Sequence, residues 1–181
     1  MLQFIIDGKK KEYEEGITFE EVAKEYQNAY ESTIAAVILN GKICELMKQP
    51  VRNGELTFCD LSTSIGHLTY VRTATLLFVK AAHDVIGDKN IEKIKVECAL
   101  GSGFYFTAKG DFVVTHELAE KIKARMQEMV DAKAVIRKHS MALDDAVAIF
   151  AKQGMKDKQR LCKFRRSSLI NVYDEIGRAH V

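Results

Sequence analysis

The sequence predicts an α+β protein of two successive domains, and three observations carry that prediction. Runs of period two, such as Leu2–Ile6 and Ile94–Leu100, alternate with a run of helical period between Leu68 and Ile86. Two-residue turn signals, Asp7-Gly8 and Asn40-Gly41, join neighbouring strands directly, as antiparallel hairpins require. The strands of the first sixty residues are followed by a stretch dominated by long helices, which places the two patterns in different domains.

Taken in order, Leu2–Ile6 is a strand, Asp7-Gly8 a turn and Lys9–Glu14 a second strand. Thr18 and Glu21 have capping-box spacing, so a helix begins there and runs to about Gln27. Ile34–Leu39 reads as a buried strand, Asn40-Gly41 as a hairpin turn into Lys42–Leu46, and Asn53-Gly54 precedes a last strand, Glu55–Asp60. This order predicts a small mixed sheet with one helix across it. Asp60–Ser64 reads as the domain boundary.

His67–Ile86 follows as a helix, with Leu68, Val71, Thr75, Leu76, Val79, Ala82 and Ile86 on its inner face and Gly87 as its stop. Ile94, Val96, Cys98 and Leu100 alternate with polar residues, which predicts a half-buried strand. Gly101-Ser102-Gly103 turns it into a second strand through Phe104-Tyr105-Phe106. Thr115 can cap a helix from His116 to about Ala132, with Leu118, Ile122, Met126 and Met129 inward. Ala134–Lys138 is a strand candidate, Ser140 a cap for a helix over Met141–Lys152, and Leu161–Phe164 and Leu169–Tyr173 are late strands. Residues 175–181, GluIleGlyArgAlaHisVal, have neither periodicity. They match the peptide that a common sequencing adapter encodes when read in frame. Native sequence is therefore expected to stop near Asp174, and Arg178 and His180 receive no chemical role.

Composition narrows the function classes. The chain has 181 residues, 47% hydrophobic and 29% charged, normal for a soluble globular protein. No run is long and apolar enough to span a membrane, and no secretory leader is visible, so a cytoplasmic protein without a membrane partner is expected. The four cysteines, Cys44, Cys59, Cys98 and Cys162, are widely spaced and predict reduced, mostly buried thiols with no metal site. The net charge is only +2, but residues 151–168 carry Lys152, Lys156, Lys158, Arg160, Lys163, Arg165 and Arg166 against one acid, Asp157. Such a segment can touch phosphates or RNA, or form a solvated face or a contact with another domain. Its one aromatic, Phe164, does not by itself make a base-stacking platform.

Residues 1–61 resemble a TGS domain, the β-grasp module named for threonyl-tRNA synthetase, GTPases and SpoT-type proteins. The resemblance lies in Asp7-Gly8, Gly16-Ile17-Thr18, Ala36–Gly41 and Asn53–Phe58. Residues 66–164 resemble the second, editing domain of threonyl-tRNA synthetase, through Gly101–Phe106, His116–Met129 and Ser140–Gly154. The same domain order is found ahead of the catalytic domain in bacterial nucleoside kinases of the uridine kinase type. Leu161–Tyr173 and Lys80–Asp84 are more similar to those kinases. The resemblance implies a β-grasp domain over 1–61, an incomplete editing-like α+β sandwich over 62–174 and a non-native tail over 175–181.

The editing chemistry does not come with the resemblance. That domain carries a His-x-x-x-His pair on its first long helix, and spacing of four places both imidazoles on one face. Those places here hold Arg72 and Leu76, and a later Cys-x-x-x-His becomes Cys162 and Arg166. A cation and an aliphatic cannot replace imidazole ligands. No catalytic residue and no metal ligand is expected. Arg72, Arg165 and Arg166 are the candidate ligand-facing positions. No GxxxxGK[ST] loop is present, so the kinase resemblance implies ATP and magnesium only for a C-terminal kinase domain missing from this chain. That domain, and a nucleoside or RNA, are the expected partners, and the oligomeric state stays open. His83-Asp84 reads as a dipole partner and surface pair rather than a dyad, His116 and His139 as solvent-facing, and Tyr70 and Tyr105 as core residues or nucleoside stackers.

Overall fold

The computed structural model describes residues 1–101, 103–175 and 178–180. It divides into two units, Met1–Val79 and Lys80–Val181, and each is treated by itself.

The first unit is a five-stranded mixed sheet with a helix packed on it. β1 (Leu2–Ile6) pairs antiparallel with β2 (Lys9–Tyr13) through Asp7 and Gly8, whose φ values of 50° and 75° give the twist a two-residue hairpin needs. α1 (Phe19–Tyr26) opens with the predicted capping box: the Glu21 amide donates to Thr18 Oγ1 at 3.3 Å and the Thr18 amide to Glu21 Oε2 at 2.8 Å. A 3-10 turn over Gln27–Ala29 ends it. β3 (Ile34–Leu39) turns through Asn40 and Gly41 into β4 (Lys42–Cys44), shorter than the expected Lys42–Leu46. β5 (Gly54–Asp60) then lies between β1 and β3, parallel to the first and antiparallel to the second. The order β2-β1-β5-β3-β4, with first and last strands parallel and the helix between them in sequence, is a β-grasp arrangement. Phe19 and Val22 of α1 and Phe4, Val37 and Leu56 of the sheet are almost fully buried in one core. Truncating a ring such as that of Phe4 costs about 3–5 kcal/mol in such a core.

α2 (Ser64–Ile86) starts three residues before the expected His67. The early start is a capping effect. Thr63 Oγ1 accepts from the Gly66 amide at 3.1 Å and donates to the Asp60 carbonyl at 2.7 Å. Leu68, placed on the inner face by periodicity, is exposed, as is Tyr70, so the core reading of that tyrosine is corrected. The helix ends at Gly87, φ 87°, whose amide donates to the His83 carbonyl.

The second unit begins in the last turns of α2. β6 (Ile91–Leu100) and β7 (Gly103–Gly110) form a two-stranded hairpin sheet. Here the half-buried expectation holds only at the base. Ile94 and Val96 are half-buried, but Cys98 and Leu100 are exposed, Leu100 at 71% and its neighbour Tyr105 at 54%. Alternation buries a face only where a second layer covers it, and a bulge between Val96 and Cys98 interrupts the register. α3 (His116–Asp131) is capped by Thr115 Oγ1, which accepts from the Leu118 amide at 3.1 Å; Ile122 and Met129 are buried as expected.

Two predicted elements differ. Ser140 does not cap a helix. It lies inside β8 (Ile136–Ala142), where its hydroxyl donates to Asn171 Oδ1 at 2.8 Å on β9 (Leu169–Glu175). α4 (Leu143–Lys152) therefore begins after Ala142, without a side-chain cap. Leu161–Phe164 is not a strand, because Lys156–Cys162 winds into α5 and the next residues continue as turns. α4 and α5 close over β8–β9 through Ala146, Phe150, Cys162, Ile170 and Val172. β10 (Arg178–His180) pairs antiparallel with β9, so the tail holds a short strand where none was expected; Ile176, Gly177 and Val181 lie outside the described residues. Cys44 and Cys59 are buried in the first unit and Cys162 in the second, while Cys98 on the hairpin is exposed. Among the described residues no helix is long and apolar enough to cross a membrane.

Candidate nucleic-acid interface

Arg72 and Leu76 are one helical turn apart on α2, which places them on one face of the helix. Arg72 is exposed and Leu76 half-buried. Cys162, at the other end of the editing-type pattern, is 4% exposed and packed into the core with Phe150 and Val172. It fills space rather than facing a ligand. Among the described residues no group of three or more His, Cys, Asp or Glu side chains could hold a metal ion. His67, His116 and His139 are exposed, with His139 on β8 rather than in a turn. His83 Nδ1 lies 2.9 Å from Asp88 Oδ1.

Asp84 instead joins α2 to α3. Lys80 Nζ donates to its Oδ1 at 2.5 Å, and Arg125 donates Nε and Nη2 to its Oδ2, each at 3.0 Å. Arg125 Nη1 also reaches Glu128 at 3.0 Å. Burial alone would raise the Asp84 carboxyl, but the hydrogen bonds from Lys80 and Arg125 hold it below the usual carboxylate range. Lys80 and Asp84 are both mostly buried, so this triad fixes the two helices rather than meeting a ligand. The motif search did not single out Arg125; its partner lies 41 residues away, and no local pattern marks it.

The basic run is presented by the end of α4, by α5 and by the turns after it. Lys152, Lys156, Arg160, Lys163, Arg165 and Arg166 are all exposed, and among the described residues none of them makes an ion pair. Elsewhere surface lysines do pair, as Lys121 with Glu117 at 2.7 Å and Lys109 with Glu92 at 2.8 Å. Among the described residues the strip therefore has no compensating carboxylate, and a positive surface of this kind draws polyanions. Lys158 differs. It is half-buried, its Nζ lies 5.8 Å from the centre of the Phe150 ring, and burial lowers its affinity for the proton. Arg165 and Arg166 are thus brought together in the strip, while Arg72 belongs to the other unit. Phe164, within the strip, is exposed; its Leu161-x-x-Phe164 spacing, with Cys162 anchored inward, is the helical signal that a strand reading obscured.

Phosphate cradling of the nucleotide-binding kind does not fit the β6–β7 connection. The Gly101 and Gly103 segment joins β6 to β7, with no helix N-terminus behind it.

No protein-family profile matches the chain. It is similar to three threonine–tRNA ligases over most of its length. Identity is 27% with the enzyme of Syntrophotalea carbinolica, covering 92% of this chain and 26% of the ligase. It is 24% with that of Clostridium novyi, covering 93% and 26%, and 24% with that of Clostridium botulinum strain Kyoto, covering 84% and 23%. The chain spans about a quarter of the length of the curated relatives it matches.

Proposed function

We propose that this chain is a tRNA-binding module of the threonyl-tRNA synthetase type in which editing chemistry is absent. The observation that carries the reading is the strip of exposed cations on α5 and its turn, none of them in an ion pair among the described residues, in a chain similar to threonine–tRNA ligase over 92% of its length. Arg165 and Arg166 contact tRNA phosphates, and Arg72 offers a further cation on α2. The places where an imidazole pair would act hold Arg72 and Leu76, so no water is activated there. Such a module works in the cytoplasm.

Filter binding of tRNA across a salt series tests this. Affinity should fall steeply with salt, and Arg165→Ala combined with Arg166→Ala should reduce the slope of log K against log salt by about 1.4–1.8, from roughly 0.7–0.9 per phosphate contact. Serine-charged threonine tRNA should not be deacylated. Salt-independent binding, or turnover, would overturn the reading.

A second reading is favoured by Leu161–Tyr173, which resembles the sequence of nucleoside kinases of the uridine kinase type, in which the synthetase histidines are typically missing. In it the chain is the non-catalytic N-terminal region of such a kinase. ATP and magnesium then belong to a separate phosphotransferase domain, since this sequence carries no GxxxxGK[ST] loop. A phosphate-binding loop encoded downstream would favour this reading, and a synthetase catalytic core would exclude it.

A further inference from the structure

Phe164 is the most exposed large apolar side chain among the described residues, at 85%. A ring so exposed on a trailing segment would mean little, but this one is held. The Lys163 amide donates to the Arg160 carbonyl at 3.2 Å, the Phe164 amide to Leu161 at 3.2 Å and the Arg165 amide to Cys162 at 3.1 Å. Cys162 is sunk in the core, so the turn is anchored from beneath. Helical winding places Phe164 one turn from Arg160 and Leu161, and Leu161 is also exposed. A flat ring thus stands in a rim of Arg160, Lys163, Arg165 and Arg166, none of them paired with a carboxylate among the described residues.

We infer that Phe164 is a stacking platform for an unpaired base, and that its cationic rim holds the phosphates on either side. The inference rests on the RNA-binding reading above and specifies its ligand: an RNA strand with exposed base faces rather than a duplex. An apolar protein surface would satisfy the ring but not the cations, and an acidic peptide the cations but not the ring. A base with its flanking phosphates supplies both a π face and negative charge. Duplex RNA keeps its faces stacked on one another and leaves the ring without a partner.

The chain contains no tryptophan, so Phe164→Trp places a single reporter at the site. In the full chain its emission should be quenched by short oligoadenylate, and neither by a blunt RNA duplex nor by polyglutamate. Phe164→Ala should weaken oligoadenylate binding roughly tenfold to a hundredfold, the range for one stacked base, and leave the salt slope unchanged. At 85% exposure neither substitution disturbs the core, and an unchanged melting curve checks this. Equal quenching by the duplex, or undiminished affinity in Phe164→Ala, overturns the platform while salt-dependent RNA binding keeps the wider reading. Failure to bind any RNA overturns both. Quenching by polyglutamate, or by anionic phospholipid vesicles in place of RNA, overturns the platform in favour of an acidic or lipid partner.

Discussion

Arg125 meets Asp84 through two guanidinium nitrogens on one carboxylate oxygen, leaving the other oxygen to Lys80. Removing the guanidinium leaves a mostly buried carboxylate with one partner. Arg125→Ala should destabilise the chain by about 1–2 kcal/mol, reduced from the usual charged hydrogen-bond figure because Arg125 is partly exposed. A circular-dichroism melt reads this directly.

The same pair sets a pH dependence. Asp84 is held below the usual carboxylate range, so the unfolded chain binds the proton more readily. Its contribution is complete above the unfolded carboxyl value, near pH 4, and is lost as pH falls through the folded one. The gap in melting temperature between the parent and Asp84→Asn should be widest at neutral pH and shrink below about pH 4. A constant gap across that range would contradict the assignment.

Gly66 allows the first turn of α2 to sit on the end of β5. A Cβ there would stand 1.9 Å from the Asp60 carbonyl oxygen, a backbone atom that cannot rotate aside. Gly66→Ala should cost about 3 kcal/mol or more despite the better helix propensity of alanine. Leu68→Ala, at an exposed site two residues on, is the control and should change the melt little.

Thr18→Ala removes the acceptor for the Glu21 amide and should cost about 1 kcal/mol. Denaturant unfolding should show a lower midpoint with an unchanged m-value.

Lys158 runs the other way. Burial beside Phe150 disfavours its charged form, and no carboxylate compensates it among the described residues. Its folded pKa lies below the unfolded value near 10.4, so stability lost at neutral pH returns as pH rises toward that value. Lys158→Met keeps the volume and should raise the melting temperature by a few degrees while leaving RNA affinity unchanged.

The first unit was legible because its signals are local. Alternation in Leu2–Ile6, the Asp7-Gly8 and Asn40-Gly41 turns and the Thr18–Glu21 box each lie within a few residues, and each forms as read. The second unit was misread wherever the deciding contact is distant. Ser140 is a plausible cap until its hydroxyl finds Asn171, 31 residues on. Leu161–Phe164 is a short apolar run that periodicity alone cannot assign, and the burial of Cys162 against Phe150 decides for a helix. The alternation in β6 forecast an inner face that its two-stranded sheet does not supply along its outer half. For the candidate interface, charge revealed the strip, but the exposure of Phe164 became visible only with the turn that carries it.

The thiols give each unit its own chemical clock. Cys44 and Cys59 are sealed in one core, Cys162 in the other, and Cys98 stands in the open. A pulse of alkylating reagent should therefore mark Cys98 at once as an internal standard, then register the opening of each half separately. The loss of protection in one half with the other intact would time their unfolding without any residue being substituted.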